Sequence, residues 1–111
     1  MADEPRKKIL IRFANLQTPP LTRKMRRDGG HYLNDLQDHV VLTMPISRPM
    51  PSIGPRVHEL RLSDTSGDWR IVYRADAEEV ILVDVFKKTT KQTPKHVIDR
   101  CKARLTTYDG I

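Results

Sequence analysis

Residues 57–105 decide the fold, and they read VHELRLSDTSGDWRIVYRADAEEVILVDVFKKTTKQTPKHVIDRCKARL. Three apolar runs, at 57–62, 69–74 and 80–86, are separated by short clusters of turn-forming residues. Short turns of this kind join neighbouring antiparallel strands, so the stretch predicts a three-stranded meander. The last run is apolar at every position except Asp84, which predicts an interior strand covered on both faces.

A helix is predicted after this last strand. Thr93 stands where an N-cap is expected, and Pro94 stands where the first helical residue is expected. The buried stripe of the helix recurs at spacings of three and four residues, and its members are Val97, Ile98, Cys101 and Leu105. Cys101 is therefore interpreted as a core thiol.

The chain before this stretch has weaker signals. The polar residues 1–8 are predicted to be disordered, and the apolar run Ile9–Phe13 predicts a first strand. A helix capped by Thr22 is expected next. Its apolar face is formed by Met25, Gly29, Tyr32, Leu33, Leu36 and Val40. Because glycine weakens a helix, Gly29 and Gly30 leave open a break into two shorter helices.

The connection at 43–56 contains four prolines and predicts an extended loop, because proline has no amide hydrogen to give to a helix or a central strand. The fold class is therefore α+β. An N-terminal strand and one or two helices precede a small, twisted antiparallel sheet, and a helix follows it. The length of 111 residues predicts a single domain spanning 1–111.

The charge balance is basic, since 20 Lys and Arg against 14 Asp and Glu give a net charge of +6. This balance favours nucleic acid, an acidic protein or an anionic membrane as a partner. The chain has neither a run of about 18 apolar residues nor the apolar core of a signal peptide, so a cytoplasmic protein without a membrane partner is expected. The single cysteine excludes an internal disulfide, and no metal or cofactor motif is present, so neither ligand is expected.

Basic side chains are concentrated on and after the predicted strands. Arg61 and Arg70 lie inside adjacent strands and face away from the apolar stripes, and Arg74 shares the face of Arg70. Further lysines follow the last strand, namely Lys87, Lys88, Lys91 and Lys95. Arginine grips phosphate with a planar fork of donors, so a converging set predicts an anion site. The alternative is a solvated basic surface in which Arg61 is paired with Glu59 or Asp84.

The histidines and aromatic residues are weighed separately. His58 alternates with leucines and is interpreted as a partly buried structural residue, whereas His31 and His39 are expected at the surface. His96, in the first turn of the last helix, is a candidate proton donor or acceptor near neutral pH. Trp69 and Tyr73 are predicted core residues, and Tyr108 is a possible base-stacking ring.

The strand motifs together resemble those of a known family. Glu59-Leu60-Arg61, Trp69–Tyr73, Phe86-Lys87-Lys88 and Thr93-Pro94 match, in order and spacing, the RelE/ParE superfamily of type II toxins. The match is closer to its HigB-like branch of phage-related proteins. The resemblance covers about residues 16–106.

The resemblance implies a toxin that is neutralised by a DNA-binding antitoxin encoded beside it. It implies a metal-independent endoribonuclease that cleaves mRNA on the translating ribosome, with Arg70 stabilising the phosphate and Lys87 or Lys88 at the strand end. Arg61, Arg74, Lys91 and Lys95 are then the expected RNA-binding residues. Ribonuclease members carry lysine where Glu59 stands, and a tyrosine or an Asp-Tyr-His tail near the C-terminus.

Two other functions compete with this one. The first is a toxin that poisons DNA gyrase without cleaving RNA, as ParE-like members of the superfamily do. The second is a non-catalytic RNA-binding module, since the order α-β-β-β-α is also that of a double-stranded RNA-binding domain. Pro94, which separates the lysines from the last helix, argues against the second.

Overall fold

The computed structural model describes residues 4–11 and 20–110. The elements in chain order are β1 (Lys8–Ile11), α1 (Arg23–Gln37), β2 (Ser47–Pro49), β3 (Val57–Asp64), β4 (Gly67–Ala75), β5 (Glu79–Lys87) and α2 (Lys95–Asp109). The α+β class predicted from the sequence is confirmed. Phe13, which was predicted to end the first strand, lies outside the described residues.

The five strands form one sheet in the order β1-β5-β4-β3-β2. Strands β3, β4 and β5 pair antiparallel through two hairpins, which confirms the predicted meander and the interior position of β5. The prediction of a wholly antiparallel sheet is wrong, because β1 pairs parallel with β5 and makes the sheet mixed. Apolar alternation identifies a strand but carries no information about its direction.

The proline-rich connection is not entirely a loop. Ser47–Pro49 pairs antiparallel with residues 58–60 of β3 and forms the edge strand β2. The edge position accommodates Pro49, because only one side of an edge strand takes part in the ladder. The sequence prediction was wrong here because proline density hid a strand of only three residues.

Each helix covers a different face of the sheet. The face under α1 carries one buried cluster, formed by Met25, Leu36, Leu60, Leu62, Ile71, Tyr73, Val80 and Leu82. The face under α2 carries a second, formed by Met50, Ile53, Val57, Val72, Ile81, Val83, Phe86, Val97, Cys101 and Leu105. Because both faces are covered, β5 is apolar almost throughout.

Asp84, the polar exception in β5, is explained by a break in register. Val72 pairs with Asp84 and Tyr73 with Leu82, so Val83 is an extra residue on β5. The bulge lets Val83 and Asp84 both reach α2. The Asp84 carboxylate accepts hydrogen bonds from Arg100, with N–O distances of 3.0 and 2.5 Å. A second arginine of the same helix, Arg104, lies 3.3 Å away.

The first helix runs unbroken through Gly29 and Gly30, so the alternative of two shorter helices is wrong. A Cβ at Gly29 would lie 3.4 Å from Leu62, which shows how closely α1 packs on β3. Thr22 is the predicted N-cap and accepts a hydrogen bond from the Met25 amide. The predicted face was one turn too long, because α1 ends at Gln37 and Val40 is exposed.

The second helix does not use its predicted cap. It begins at Lys95, and its N-cap position is occupied by Pro94, which has no side-chain hydrogen bond to give. The hydroxyl of Thr93 instead donates to the buried carboxylate of Glu59 at 2.6 Å. A tertiary hydrogen bond to a buried charge has displaced a local capping interaction.

Residues 4–8 are held against the end of α1, whereas the sequence predicted disorder there. The Lys7 amide donates to the Gln37 carbonyl at 2.9 Å. His39 lies 2.9 Å from the Pro5 carbonyl, and Arg6 pairs with Asp38 at 2.9 Å. The sequence does not predict this order, because the contacts are polar and join residues that are far apart in sequence. Among the described helices, none is both long and apolar enough to cross a membrane.

Cys101 provides a test of the packing between α2 and the sheet. Burial raises the pKa of its thiol to about 12, with Asp84 acting in the same direction. Since the thiolate is the reactive form, we expect no reaction with a colorimetric disulfide reagent in the native protein at pH 8. Full reaction is expected in denaturant, where the thiol regains its ordinary acidity. Rapid native labelling at pH 8 would contradict this packing.

Candidate anion-binding cleft

Arg61 and Arg70 lie directly opposite each other in the ladder between β3 and β4. Like charges in this position repel, and Glu59 and Asp68 are the acids that act on Arg70. They border a cleft of about 420 Å³, which we call the basic cleft. Its lining residues are Arg61, Asp68, Arg70, Lys88, Thr89, Thr90 and Lys91.

A buried carboxylate lies at the base of this cleft. Glu59 is only 1% exposed, and its Oε1 lies 3.6 Å from Arg70 Nε and 3.9 Å from Lys88 Nζ. Both cationic side chains are themselves nearly buried, at 6% and 8% exposure. Oε1 and Arg70 Nε have no hydrogen-bond partner among the described residues. The pairing is therefore electrostatic, and it keeps the two cations side by side.

The second oxygen of Glu59 fixes the loop that carries the lysines. Its Oε2 accepts the hydrogen bond from Thr93, just before α2. Residues 88–94 are thereby tied at one end to β5 and at the other to the middle of β3. This explains why Lys88 and Lys91 reach the same cleft as the two strand arginines.

The cations of the cleft perturb one another. Burial lowers the pKa of Arg70, and the neighbouring Arg61 lowers it further. Burial also lowers the pKa of Lys88; Glu59 opposes this effect, and Arg70, Arg48 and Arg61 reinforce it. An anion in the cleft would relieve this repulsion. The arrangement suits a phosphate group, with Lys88 as a side chain able to release a proton more readily than an ordinary lysine.

One contributor was missed by the sequence prediction. Arg48 was assigned to the proline-rich loop, but β2 places it directly opposite Glu59 in the ladder. In the sequence, Arg48 is a single arginine between Ser47 and Pro49, and such a short segment is too weak a pattern to predict a strand. Asp68, which lines the cleft, was assigned to a turn.

The predicted strand-end lysines separate. Lys88 lines the cleft, but Lys87 is turned to the other face of the sheet, where its Cε approaches Gly67. His96 is exposed on the first turn of α2 and is not among the cleft residues. Lys95 is also outside the lining set and pairs with Asp99 at 2.7 Å. Alternation along β5 explains the separation of Lys87 from Lys88.

Arg74 lies in a different environment from Arg70, although both are on β4. Its guanidinium binds Asp76 and Asp109 at 2.8–2.9 Å and lies over the ring of Tyr108. These hydrogen bonds raise its pKa above the ordinary value. Tyr108 donates to Glu79 at 2.9 Å. Arg74 therefore anchors the end of α2 to the sheet, and its charge is already balanced by two carboxylates.

The other sequence interpretations have mixed outcomes. His58 is half-buried, as predicted, and its ring stacks on the buried Tyr73. The proposed pairing of Arg61 with Glu59 or Asp84 is wrong, because Glu59 faces Arg70 and Lys88 while Asp84 binds the arginines of α2. Within the described ranges, no group of three or more potential ligands could hold a metal ion.

The mixed five-stranded sheet with two helices is compatible with a small toxin-like domain. A family model described as phage derived protein Gp49-like matches residues 17–106. The chain therefore belongs to the phage-derived Gp49-like family, which is part of the RelE/ParE-like toxin superfamily. Among curated proteins, none matches the chain significantly.

Removing the charge of Glu59 tests its role at the base of the cleft. We expect Glu59→Gln to lower the free energy of unfolding by about 3 kcal/mol, because it leaves buried cations without a counter-charge. Adding Lys88→Met should restore part of this loss, as measured by urea denaturation in a double-mutant cycle. Glu78→Gln, in the exposed turn before β5, is the control and should change stability by less than about 0.5 kcal/mol. Equal stability of Glu59→Gln and Glu78→Gln would contradict a charge-balancing role for Glu59 at the base of the cleft.

Proposed function

We propose that this protein is the toxin of a type II toxin–antitoxin system, of the HigB-like branch, and that it cleaves mRNA on the translating ribosome. A cognate DNA-binding antitoxin encoded beside it neutralises it. The observation that carries the proposal is the convergence of Arg61, Arg70 and Lys88 on one cleft. Family membership supports the toxin context, and the cleft supports RNA phosphate as the ligand.

The proposed chemistry is attack of a ribose 2′-oxygen on the adjacent phosphorus. The bond from phosphorus to the 5′-oxygen breaks, which leaves a 2′,3′-cyclic phosphate and a free 5′-hydroxyl. Negative charge on the phosphoryl oxygens increases in the transition state, and Arg61 and Arg70 are placed to stabilise it. The preorganised pair needs little rearrangement, because Arg70 is held by Glu59 and by the Trp69 carbonyl at 3.0 Å.

Two protons must also move. Lys88 is our candidate donor to the departing 5′-oxygen, since its lowered pKa makes it a better acid than an exposed lysine. Asp68, the carboxylate among the residues that line the cleft, is our candidate acceptor of the 2′-hydroxyl proton. His96, the acid or base predicted from the sequence, lies outside the cleft lining.

A gyrase-poisoning toxin is the second candidate, and one observation favours it. Glu59 occupies the position where the resembled ribonucleases carry lysine, and here it is buried and serves to hold other charges. In that case Arg61 and Arg70 have a structural or protein-binding role. A non-catalytic RNA-binding module is less well supported, since α2 begins at Lys95 and both cleft lysines, Lys88 and Lys91, precede it.

Expression in a bacterial host tests the proposal. We expect induction of the chain to arrest growth, co-expression of the antitoxin to restore it, and 5′-end mapping to show cuts in frame within translated messages. Arg70→Ala should remove toxicity and the cuts, because the variant loses a phosphate ligand. Lys95→Ala is the matched control, as it removes an exposed cation outside the cleft and should remain toxic.

Three outcomes would count against parts of this proposal. Normal growth on strong induction of a folded protein contradicts a toxin. Arrest with intact messages and damaged DNA selects the gyrase mechanism. Full toxicity of a folded Arg70→Ala variant removes the basic cleft from the mechanism.

The pH dependence of binding tests Lys88. A short adenine oligonucleotide with 2′-deoxyribose resists cleavage and has no titrating group above neutral pH. We expect its binding to weaken, by about tenfold, as pH rises through a pKa below the ordinary 10.5 of lysine. Lys88→Met should bind weakly at pH 7 and lack this step.

Raising the pH is expected to weaken oligonucleotide binding but to increase the contribution of Lys88 to folding stability. The folded chain binds the Lys88 proton less tightly than the unfolded chain does, so the contribution of this group to stability rises with pH between the two pKa values.

Oligonucleotide binding that stays constant while Lys88 deprotonates would remove this residue from the phosphate site.

A further inference from the structure

A second hollow of about 400 Å³ adjoins the basic cleft, and we call it the side pocket. The two share Arg61, Asp68 and Arg70 as a common wall. The side pocket extends from this wall toward α1 and the segment before β2. Near this pocket the Arg61 amide donates a hydrogen bond to the Ile46 carbonyl at 2.9 Å, just before β2 begins.

The two hollows differ in chemistry. Every residue that lines the basic cleft is polar or charged. The side pocket adds an aromatic and aliphatic wall, formed by Tyr32, Pro45, Ile46 and Leu62. Polar side chains also line it, namely Lys24, Asp28 and Ser63. An apolar wall with a few polar groups is how proteins bind a flat heterocycle.

Tyr32 is placed to act as the ring in this wall. It is half-buried on α1, where it packs against the cluster on the α1 face of the sheet and also lines the pocket. The packing restricts the ring, so stacking a base on it requires little further loss of side-chain freedom. Base–aromatic stacking tolerates any base, because every base has a π-face.

We propose that the side pocket binds the base of the nucleotide next to the phosphate held in the basic cleft, with that base stacked on Tyr32. The inference rests on the proposed function and defines its substrate as single-stranded RNA with a splayed base. A base-paired strand keeps its bases stacked in the helix and cannot insert one into the pocket. Asp28, whose carboxylate pairs with Lys24 at 2.7 Å, supplies an acceptor for the amino group of a base.

The shared arginine wall argues for a nucleotide over an acidic peptide. A peptide carboxylate in the basic cleft would be followed by a side chain of any shape, whereas a phosphate in RNA is always followed by a ribose and a flat base. The protein has the same sequence of features, because the arginine wall that would hold the phosphate is followed by the side pocket with the ring of Tyr32. Recognition of an acidic peptide remains as an outcome of the test.

Binding of probes of different length to the purified full chain tests the inference. The probes are inorganic phosphate, adenosine monophosphate and a 2′-deoxy adenine trinucleotide, measured by calorimetry at one salt concentration. We expect Tyr32→Leu, which keeps apolar packing but removes the ring, to weaken trinucleotide binding by about 5-fold to 150-fold. Phosphate binding should be unchanged.

Two further variants make the test specific. Tyr32→Phe retains the ring and should bind the trinucleotide like the unaltered chain. His31→Ala is the matched control, because it removes a neighbouring exposed ring that is not among the pocket-lining residues. In a trinucleotide carrying 5-bromouracil, ultraviolet cross-linking should mark the peptide that contains Tyr32.

The outcomes distinguish failure of the base-binding inference from failure of the proposed anion site. If Arg70→Ala still binds phosphate normally, the anion site itself is wrong. If phosphate binding depends on Arg70 but Tyr32→Leu binds the trinucleotide normally, the anion site stands and the side pocket does not bind a base. Equal loss of phosphate and trinucleotide binding in Tyr32→Leu, or tighter binding of a polyglutamate peptide than of the trinucleotide, also overturns the inference.

Discussion

The buried carboxylate of Glu59 is the constraint on which the arrangement of the cleft depends. An ionised group with 1% exposure requires nearby positive charge, because burial removes its hydration. Arg70 supplies that charge from β4 and Lys88 from the residue after β5, and Thr93 supplies a hydrogen bond from just before α2. Satisfying one acid thus brings together three segments that are distant in sequence. The basic cleft forms where these segments meet above Glu59.

The sheet uses its two faces for different purposes. Both helices bury apolar clusters, and the α2 side also carries the ion pairs of Asp84 with the arginines of α2 and two further sets of ionic contacts at opposite ends. At one end, Arg74 is paired with Asp76 and Asp109 and holds the end of α2 against the sheet. At the other end, four cations line a cleft in which Asp68 and the underlying Glu59 are the acids. On the proposed function, this excess of positive charge makes the cleft a binding site, whereas the charges around Arg74 form a structural ion-pair network.

Much of this could be predicted from the sequence, and the failures have identifiable causes. The meander and the stripe of α2 follow from periodicity, so strands β3, β4 and β5 were placed correctly. Periodicity could not reveal the direction of β1 or the short β2, because neither depends on an apolar pattern. The face shared by Arg61 and Arg70 was predicted by alternation. The role of Glu59 was not, because its partners come from β4, from the residue after β5 and from the residue before α2.

The opposed arginines of β3 and β4 have a further consequence. Two like charges fixed face to face raise the free energy of the empty protein, and any bound polyanion lowers it again. On the proposed function, the chain is therefore least stable without its ligand and gains stability when a polyanion binds. Selection for stability alone would act against Arg61 rather than Arg70, because Arg70 also balances the buried carboxylate of Glu59. On the proposed function, the stability lost to this repulsion keeps the anion site ready for its ligand.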